Sequence, residues 1–473
     1  MLKSNHNRGG IKMNKKGFTL MEIIVVIALL GAIMLLVVPN ITKNFKDSKK
    51  RLFYDNVVSL YTSAGRSFLL LDNPSNKTFS NSGNTLDVDV SEDITYKIVV
   101  NSYGEVISIY VTNGTYSYSK SNSNGIKKKD IKLDDIIEGT IDEDASAKVT
   151  LFDKLLEDNP TIKTRTDFNT TFTETNTGTL YKATESIASG TPKDVYYFAG
   201  NATNNWVKFG GFYWRIIRTN HDVSIRLLYS GTSPDTTSGY IGKSAFNNTY
   251  DDSMYVGYMY GTSGSQTNNR TNENDSTIKG IIDTWYKDNL KTNYEKYIST
   301  EAVYCNDREV GSGTYSATGS EFYYAAYTRL NTNKTPTYDC EDSSDAFSGS
   351  TSGGGNGKLT YPIALMTADE IAYAGGKVHT NLPSPYAWYY LNSTGGSITG
   401  TTDWWSLSPY YWYGNTARSW LVNGSYSLGY LGSSDVDFVF GVRPAISLKT
   451  CALYTSGNGA PETPYEIEMN GGC

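Results

Sequence analysis

Only 3 of the 473 residues are histidine and 4 are cysteine, and that scarcity removes several kinds of chemistry at once. The cysteines (Cys305, Cys340, Cys451 and Cys473) lie in the C-terminal part with no CxxC pair, which argues against structural zinc and for disulfides or inert thiols. His221 and His379, the two histidines beyond the N-terminal segment, lie in separate regions and in no metal-ligating spacing. No nucleophile-elbow pattern occurs, and SGGGNGK (352–358) lacks the first glycine and the Ser/Thr of a phosphate-binding loop, so it reads as a flexible loop. The Asp/Asn-rich stretches NTYDDS and NRTNEND offer oxygen ligands without regular spacing, so no calcium or other metal site is assigned. A formal charge of −6 leaves no basic footprint for nucleic acid. Neither catalysis nor a cofactor is expected.

What the chain does have is tyrosine: 38, against 16 phenylalanines. Tyrosine gives a large, rigid, amphipathic contact surface at low entropic cost, as recognition surfaces require, but it is also a good strand former; composition leaves both readings open. The length suggests two or three domains. Four cysteines allow three pairings. Cys305–Cys340 and Cys451–Cys473 are preferred, because each closes a loop within one local region.

One long apolar run is present, in MNKKGFTLMEIIVVIALLGAIMLLVVPNIT (13–42). Twenty uncharged residues separate Glu22 from Lys43, and as a helix they reach about 30 Å, the thickness of a hydrocarbon core. An ordinary signal peptide would have a shorter run and a small-residue cleavage site after it. Glu22 also sits inside the apolar stretch, where an unpaired carboxylate is costly and marks function.

KKGFTLMEII (15–24) resembles the leader and cleavage site of type IV prepilins. The resemblance implies cleavage after Gly17 by a prepilin peptidase, N-methylation of the new first residue Phe18, and pairing of Glu22 with the terminal amine of a neighbouring pilin subunit. Pro39 falls where pilin stems often carry a helix-loosening proline. The leader is longer than the family's usual one, and RGGIKM reads like a translated ribosome-binding site, so translation is expected to start at Met13. Lys43, Lys46, Lys49, Lys50 and Arg51 follow the span, so loop charge leaves its orientation undecided and the prepilin resemblance sets it. Loss of residues 1–17 removes five basic and no acidic residues, taking the charge to −11.

The expected fold class is α+β: an N-terminal transmembrane and stem helix on a small antiparallel sheet, followed by a larger α+β domain. Residues 1–17 form the leader, 18–42 the transmembrane and assembly helix, and 43–125 the pilin stem and β-meander. In the stem, Phe45, Leu52, Phe53, Val57, Leu60, Tyr61 and Leu69 recur at helical spacing. Charge-rich and Thr/Ser-rich segments make 126–194 a linker with one short helix in KVTLFDKLLEDN. In 195–473, WVKFGGFYWRIIRTNHDVSIRLLYSG predicts two strands around TNHD, with Trp206, Phe209, Phe212 and Trp214 as core candidates. NDSTIKGIIDTWYKDNLK predicts a helix capped by Asp275 or Ser276, with Ile278, Ile281, Ile282 and Trp285 inward, and Thr367 caps another that ends at Gly375–Gly376. Asp369 and Glu370 there complement the helix dipole.

WWSLSP, SWLVNG and FGVRPAISL (404–448) resemble the C-terminal part of C-type-lectin-like domains of the formylglycine-generating-enzyme and retroelement-variable-protein type. The resemblance implies framework roles for Trp405, Ser406, Arg443 and Pro444, and it makes Trp404 and Trp420 core residues. It places ligand contacts at Tyr411, Trp412, Tyr413, Asn415, Ser425, Tyr426, Tyr430, Ser433, Asp435 and Asp437. Adenine-directed diversification would enrich these residue types, as would any polar β-loop surface. The 25 residues beyond Leu448 depart from the variable-protein pattern. The enzymes' chemistry needs a cysteine pair in the active region, and here the cysteines lie outside the aromatic segment. Together these readings point to a minor or tip pilin-like protein. It would be membrane-inserted by one helix and then carried to the cell surface, displaying a domain for a host or environmental glycan or protein. A pseudopilin of a secretion or DNA-uptake machine and a pilin-anchored enzyme are the alternatives.

Overall fold

The computed structural model describes residues 20–71, 77–90, 93–100, 104–121, 125–141, 150–424, 426–469 and 473; of the side chains between 20 and 44 it describes only Val25. The chain divides into two compact units, Met1–Ala147 and Lys148–Cys473.

The first unit joins one helix, Leu20–Leu69, to a five-stranded sheet of Lys77–Ser80, Thr95–Val100, Val106–Thr112, Tyr116–Ser121 and Ile137–Glu138 in sequential order. Phe53, Val57, Leu60, Ala64 and Phe68 recur every three or four residues and are buried against Ile98, Ile109, Val111 and Tyr118 of the sheet. The buried stripe is narrower than the sequence pattern implies. Phe45, Leu52 and Leu69 are exposed, because they fall before, beside and beyond the part of the helix that meets the sheet. Among the described residues no helix is long and apolar enough to cross a membrane. The run expected to do so, the leader, the Gly17–Phe18 processing site and the Glu22 side chain lie outside the described residues, apart from the backbone from Leu20 onward and Val25.

The assignment of 126–194 to a linker is overturned at both ends. Ile126, Ile131 and Ile136 are buried in the first unit's core, and Ile137–Glu138 pairs with Tyr116–Ser121. From Lys148 the chain belongs to the second unit. The expected short helix, Leu151–Asp158, is capped by the Thr150 hydroxyl and buries Leu151 and Leu155, while Thr161–Lys163, Thr179–Glu185 and Lys193–Tyr197 are sheet strands. A few apolar residues suffice for strands whose composition otherwise reads as loop: Tyr181, Val195 and Tyr197 bury one side and Leu180 the other.

The second unit holds two large sheets. The ten-stranded one runs Ala364–Leu365, Pro444–Leu448, Ile225–Tyr229, Phe212–Thr219, Trp206–Phe209, Tyr465–Ile467 and Tyr454–Ser456, with the three early strands joined through Phe212–Thr219. The two strands expected around TNHD are three, because Gly210 and Gly211, both at positive φ (63° and 84°), close an extra two-residue hairpin. Helix Thr277–Asn289 is capped by Ser276, but its inward face is Ile278, Lys279, Ile282 and Tyr286; Ile281 is exposed, one step off the stripe. Cys305 is bonded to Cys340 and Cys451 to Cys473, with Cα separations of 5.7 and 5.2 Å.

The seven-stranded sheet runs Lys243–Ser244, Phe440–Gly441, Trp404–Trp412, Phe322–Tyr324 and Val310–Gly313, with Ala417–Val422 and then Leu431–Asp435 continuing from the Trp404 strand. All nine residues of the Trp404 strand are buried, including Trp404, Trp405 and Trp412; Trp420 on its neighbour is buried too. Arg443 is fully buried, donating to Tyr389 O (2.7 Å) and Tyr229 O (3.2 Å) over the Trp404 ring, and Pro444 opens a central strand.

Candidate ligand-binding face

Strand register decides which aromatics share a side. Pro409 pairs with Ser419 and Tyr411 with Arg418, so the Trp404 strand carries one extra residue there, a β-bulge. The bulge puts Tyr410 and Tyr411 on one side, with Arg418 and Trp420 of the next strand and Ser433 and Asp435 of the one after. Trp412 points to the opposite side and is fully buried. Its expected ligand contact is therefore corrected: it is core. Tyr411 is also nearly buried, as a support beneath the surface rings, and its hydroxyl donates to Glu321.

Around these residues a continuous aromatic array forms. Tyr323, opposite Tyr411 in the register, stacks on Tyr411 at 4.2 Å and on Tyr327 at 4.0 Å. Tyr410 meets Tyr327 edge-on at 5.2 Å and Trp420 at 4.5 Å. Tyr413 packs on Tyr411 at 5.3 Å and is 56% exposed. His379, with a left-handed backbone (φ 52°), stacks on Tyr430 at 5.5 Å and lies 6.4 Å from Tyr410. Tyr410, Tyr411 and Trp420 form a buried underlayer, while Tyr323, Tyr327, Tyr430, His379 and Tyr413 keep ring surface open to solvent. Interlocked rings of this kind hold a surface in one conformation before any ligand arrives.

Polar groups rim the rings. Asn331 donates to the Tyr327 hydroxyl (2.8 Å), Tyr410 bonds Ser433, and Arg418 pairs with Asp435 (3.0 Å). Burial pushes the Tyr410 phenol up to about 12 and raises the Asp435 carboxyl against the pull of Arg418. Burial, then the charges of Lys334 and Arg418, lowers the His379 imidazole. Of the remaining sequence-derived positions, Asn415, Tyr426 and Asp437 are exposed on turns at the strand ends, and Ser425 lies outside the described residues. Tyr410, which the sequence places in a candidate exposed run Tyr410–Asn415, is buried beneath the surface rings, and Tyr323, Tyr327, Arg418 and His379 were not expected from sequence. For Tyr323 and Tyr327 the signal was the tyrosine excess itself, but only strand pairing joins them to the 404–448 segment.

A buried ionic framework fixes the flanks of this face. Thr367 caps helix Ala368–Ala374, accepting the Glu370 N–H (3.1 Å), while Glu370 accepts the Thr367 N–H (2.9 Å) and Arg218 and Arg226 (2.8 Å each). Asp369 takes Arg329 (2.8 Å) from the π-helix Thr328–Asn333, which follows Tyr327 and carries Asn331. The same helix ends at Gly375 (φ 120°), from which the chain leads to His379. Glu185 closes the network, bonding Arg218 (2.8 Å) and His221 (3.2 Å). Beside it, lined by Cys305, Cys340, Asp307, Arg329 and Glu370, is a cavity of about 20 Å³. That holds about one water. Among the described residues no group of three or more His, Cys, Asp or Glu is placed to hold a metal ion.

Comparison with known proteins bears on the other end of the chain. Residues 12–38 match the family model described as the prokaryotic N-terminal methylation motif. The chain has a type IV pilin-like N-terminus. Pilin-type and pseudopilin-type proteins share this motif, which implies peptidase processing, assembly with other pilin subunits, and membrane anchoring before surface exposure. No curated protein and no solved structure matches the chain.

Proposed function

We propose that this is a minor or tip type IV pilin-like surface protein whose second unit binds a ligand through the Tyr323–Tyr327–Tyr430 face. The observation that carries the reading is the two-layer aromatic array, with exposed rings held on buried ones at the surface of a sheet. Solvent-exposed tyrosines that are already immobilised pay little further entropy on binding. We read Lys148–Cys473 as C-type-lectin-like in organisation, supported by the buried Trp405, Ser406 and Arg443 framework. Its size, more than twice that of the first unit, favours a terminal or minor position over repetition along a packed shaft. We take the unit to be a binding module rather than an enzyme: the disulfide-lined cavity has no room for a substrate, and Glu185, Asp307, Asp369 and Glu370 of its lining are ion-paired.

The test is binding of the full chain, in detergent, to glycan and protein arrays, compared with Tyr327→Ala and Tyr430→Ala. Each variant removes a half-exposed ring rather than a fully buried one, and at least tenfold weaker binding is expected from the loss of an aromatic hot spot. Unchanged binding in both would overturn the assignment of the face. A pseudopilin, which shares the N-terminal motif, would show no array ligand and would instead depend on this unit for docking to its machine.

A further inference from the structure

The aromatic face is electrically polarised. At its Tyr327–His379 end, Lys334 follows the π-helix in a left-handed conformation (φ 56°) and donates to the carbonyls of Leu330 (3.2 Å) and Asn331 (2.6 Å). That fixes its ammonium beside the Asn331–Tyr327 pair while spending its bonds on neutral acceptors. Lys377 and His379 arrive from the other side, on the chain leaving Gly375, with the His379 N–H on Leu431 O (3.1 Å). The two lysines lie within electrostatic reach of each other, and the His379 ring lies within reach of Lys334. Burial and then Lys377 lower the Lys334 pKa, as burial, Lys334 and Arg418 lower that of His379.

The nearby carboxylates are spoken for. Asp435 answers Arg418 at 3.0 Å. Asp167, which feels Lys377, takes the Asn169 N–H (2.8 Å) and the Thr170 hydroxyl (3.0 Å). Glu321 sits at the Tyr411 end, where it accepts the Tyr411 hydroxyl, and Asp437 lies on the turn beyond Asp435. Lys377 therefore shares Asp167 as counter-charge, Lys334 stands at that end with no carboxylate paired to it among the described residues, and the other end carries the acid.

Resting on the reading of this face as a ligand site, we propose that the ligand is an acidic glycan, with a sugar ring on Tyr327 and Tyr430 and its carboxylate or sulfate against Lys334 and Lys377. The weakly positive C–H faces of a sugar lie well on the negative face of a tyrosine ring. Tyr323, stacked between Tyr411 (4.2 Å) and Tyr327 (4.0 Å), holds the Tyr327 ring in place from behind, and Asn331 and Ser433 offer polar partners for hydroxyls. Lysine serves as a point-charge anion binder that needs no planar geometry.

The experiment uses the full chain in detergent on an array of sialylated, uronate-bearing, sulfated and neutral oligosaccharides. The best acidic hit is then compared in solution with its own carboxyl-reduced or desulfated form. Loss of a charge-assisted contact should weaken binding about tenfold, both for the neutralised sugar and for the Lys334→Gln/Lys377→Gln double variant. Raised salt should weaken the acidic sugar selectively. Thermal unfolding of the double variant should match the parent. Equal binding of acidic and neutralised sugars, unaffected by the lysine changes but lost in Tyr327→Ala, overturns the acidic ligand and leaves the face standing. So does a Tyr327-dependent protein ligand with no glycan bound. Binding that survives Tyr327→Ala and Tyr430→Ala overturns the face and this inference with it.

Discussion

Replacing Glu370 by alanine should cost this protein a large part of its folding free energy, and the structure gives the size of the loss. The carboxylate is fully buried and accepts three contacts, Arg218 Nε and Arg226 Nη1 at 2.8 Å each and the Thr367 N–H at 2.9 Å, while Arg218 also pairs with Glu185. Alanine leaves two guanidinium groups, buried to 3% and 1% exposure, facing a void with only Glu185 as counter-charge. Breaking a buried pair by removing one partner costs about 3–5 kcal/mol, and loss of the reciprocal helix cap adds about 1 kcal/mol. Against a total stability of about 5–15 kcal/mol, the variant should be near the edge of folding. Equilibrium urea unfolding followed by tryptophan fluorescence reads the change, since Trp214, Trp388 and Trp405 are all in this unit's core. A double change that also replaces Arg226 by methionine should recover part of the loss, because Arg218 keeps Glu185 while Arg226 is the guanidinium left without a carboxylate. A Glu370→Ala variant within about 1 kcal/mol of the parent would refute the argument, since the arginines would then have found water or another acceptor.

The same network should fail in acid. Burial alone would raise the Glu185 carboxyl, but the Arg218 charge and the His221 and Arg218 hydrogen bonds bring it down to about 2 from 4.5, and Arg226 and Arg218 lower Glu370 likewise. Groups with depressed folded pKa values stabilise above their unfolded range, so urea midpoints should hold above about pH 5 and fall as pH drops from 4.5 toward 2. Level midpoints across that window would contradict the ion-pairing. Trp412→Ala should lower stability by about 3–5 kcal/mol through a core cavity, whereas Tyr430→Ala, a half-exposed ring, should leave the urea midpoint nearly unchanged; the reverse order would invert the assignment of faces. Replacing Cys451 and Cys473 by serine frees the loop spanning their separation of 22 and should cost about 3 kcal/mol, read in the same assay; no change would show that the C-terminal strands hold without the bond.

Local signals were legible and non-local ones were not. The prepilin-like N-terminus is a contiguous motif, and the Thr367 cap and the Gly375 stop are set within a few residues, so sequence alone located them. The disulfide pairing followed from proximity along the chain. By contrast, 150–194 looked like a linker because its strands, though paired with one another, are sparse in apolar residues and are fixed to the unit by partners far away in sequence, such as Tyr197 beside Arg218, Ile187 beside Cys340 and Thr150 beside Leu453. Asp369 and Glu370 read as helix-N-terminal charges complementing the dipole, and no local pattern announces arginines at 218, 226 and 329. The same limit applied to the site. Tyr413 and Tyr430 could be drawn from their own segment, while Tyr323 and Tyr327 enter only because Phe322–Tyr324 pairs with the Trp404 strand.

Trp412 was misassigned for a sharper reason. Side chains on a strand alternate, so a regular register would give neighbouring Tyr410 and Tyr411 opposite sides. The extra residue between Pro409 and Tyr411 breaks that parity, puts both tyrosines on one side and sends Trp412 to the other. Full burial of all nine residues hides the change from any hydrophobic pattern, because both sides of the strand are covered. One bulge thus lets a single aromatic strand serve two purposes. Trp405 and Trp412 fill the interior, and Tyr410 and Tyr411 floor a platform whose upper rings come from elsewhere in the chain. The density of aromatics in this stretch is the number needed to pack a core and support a surface from the same short segment.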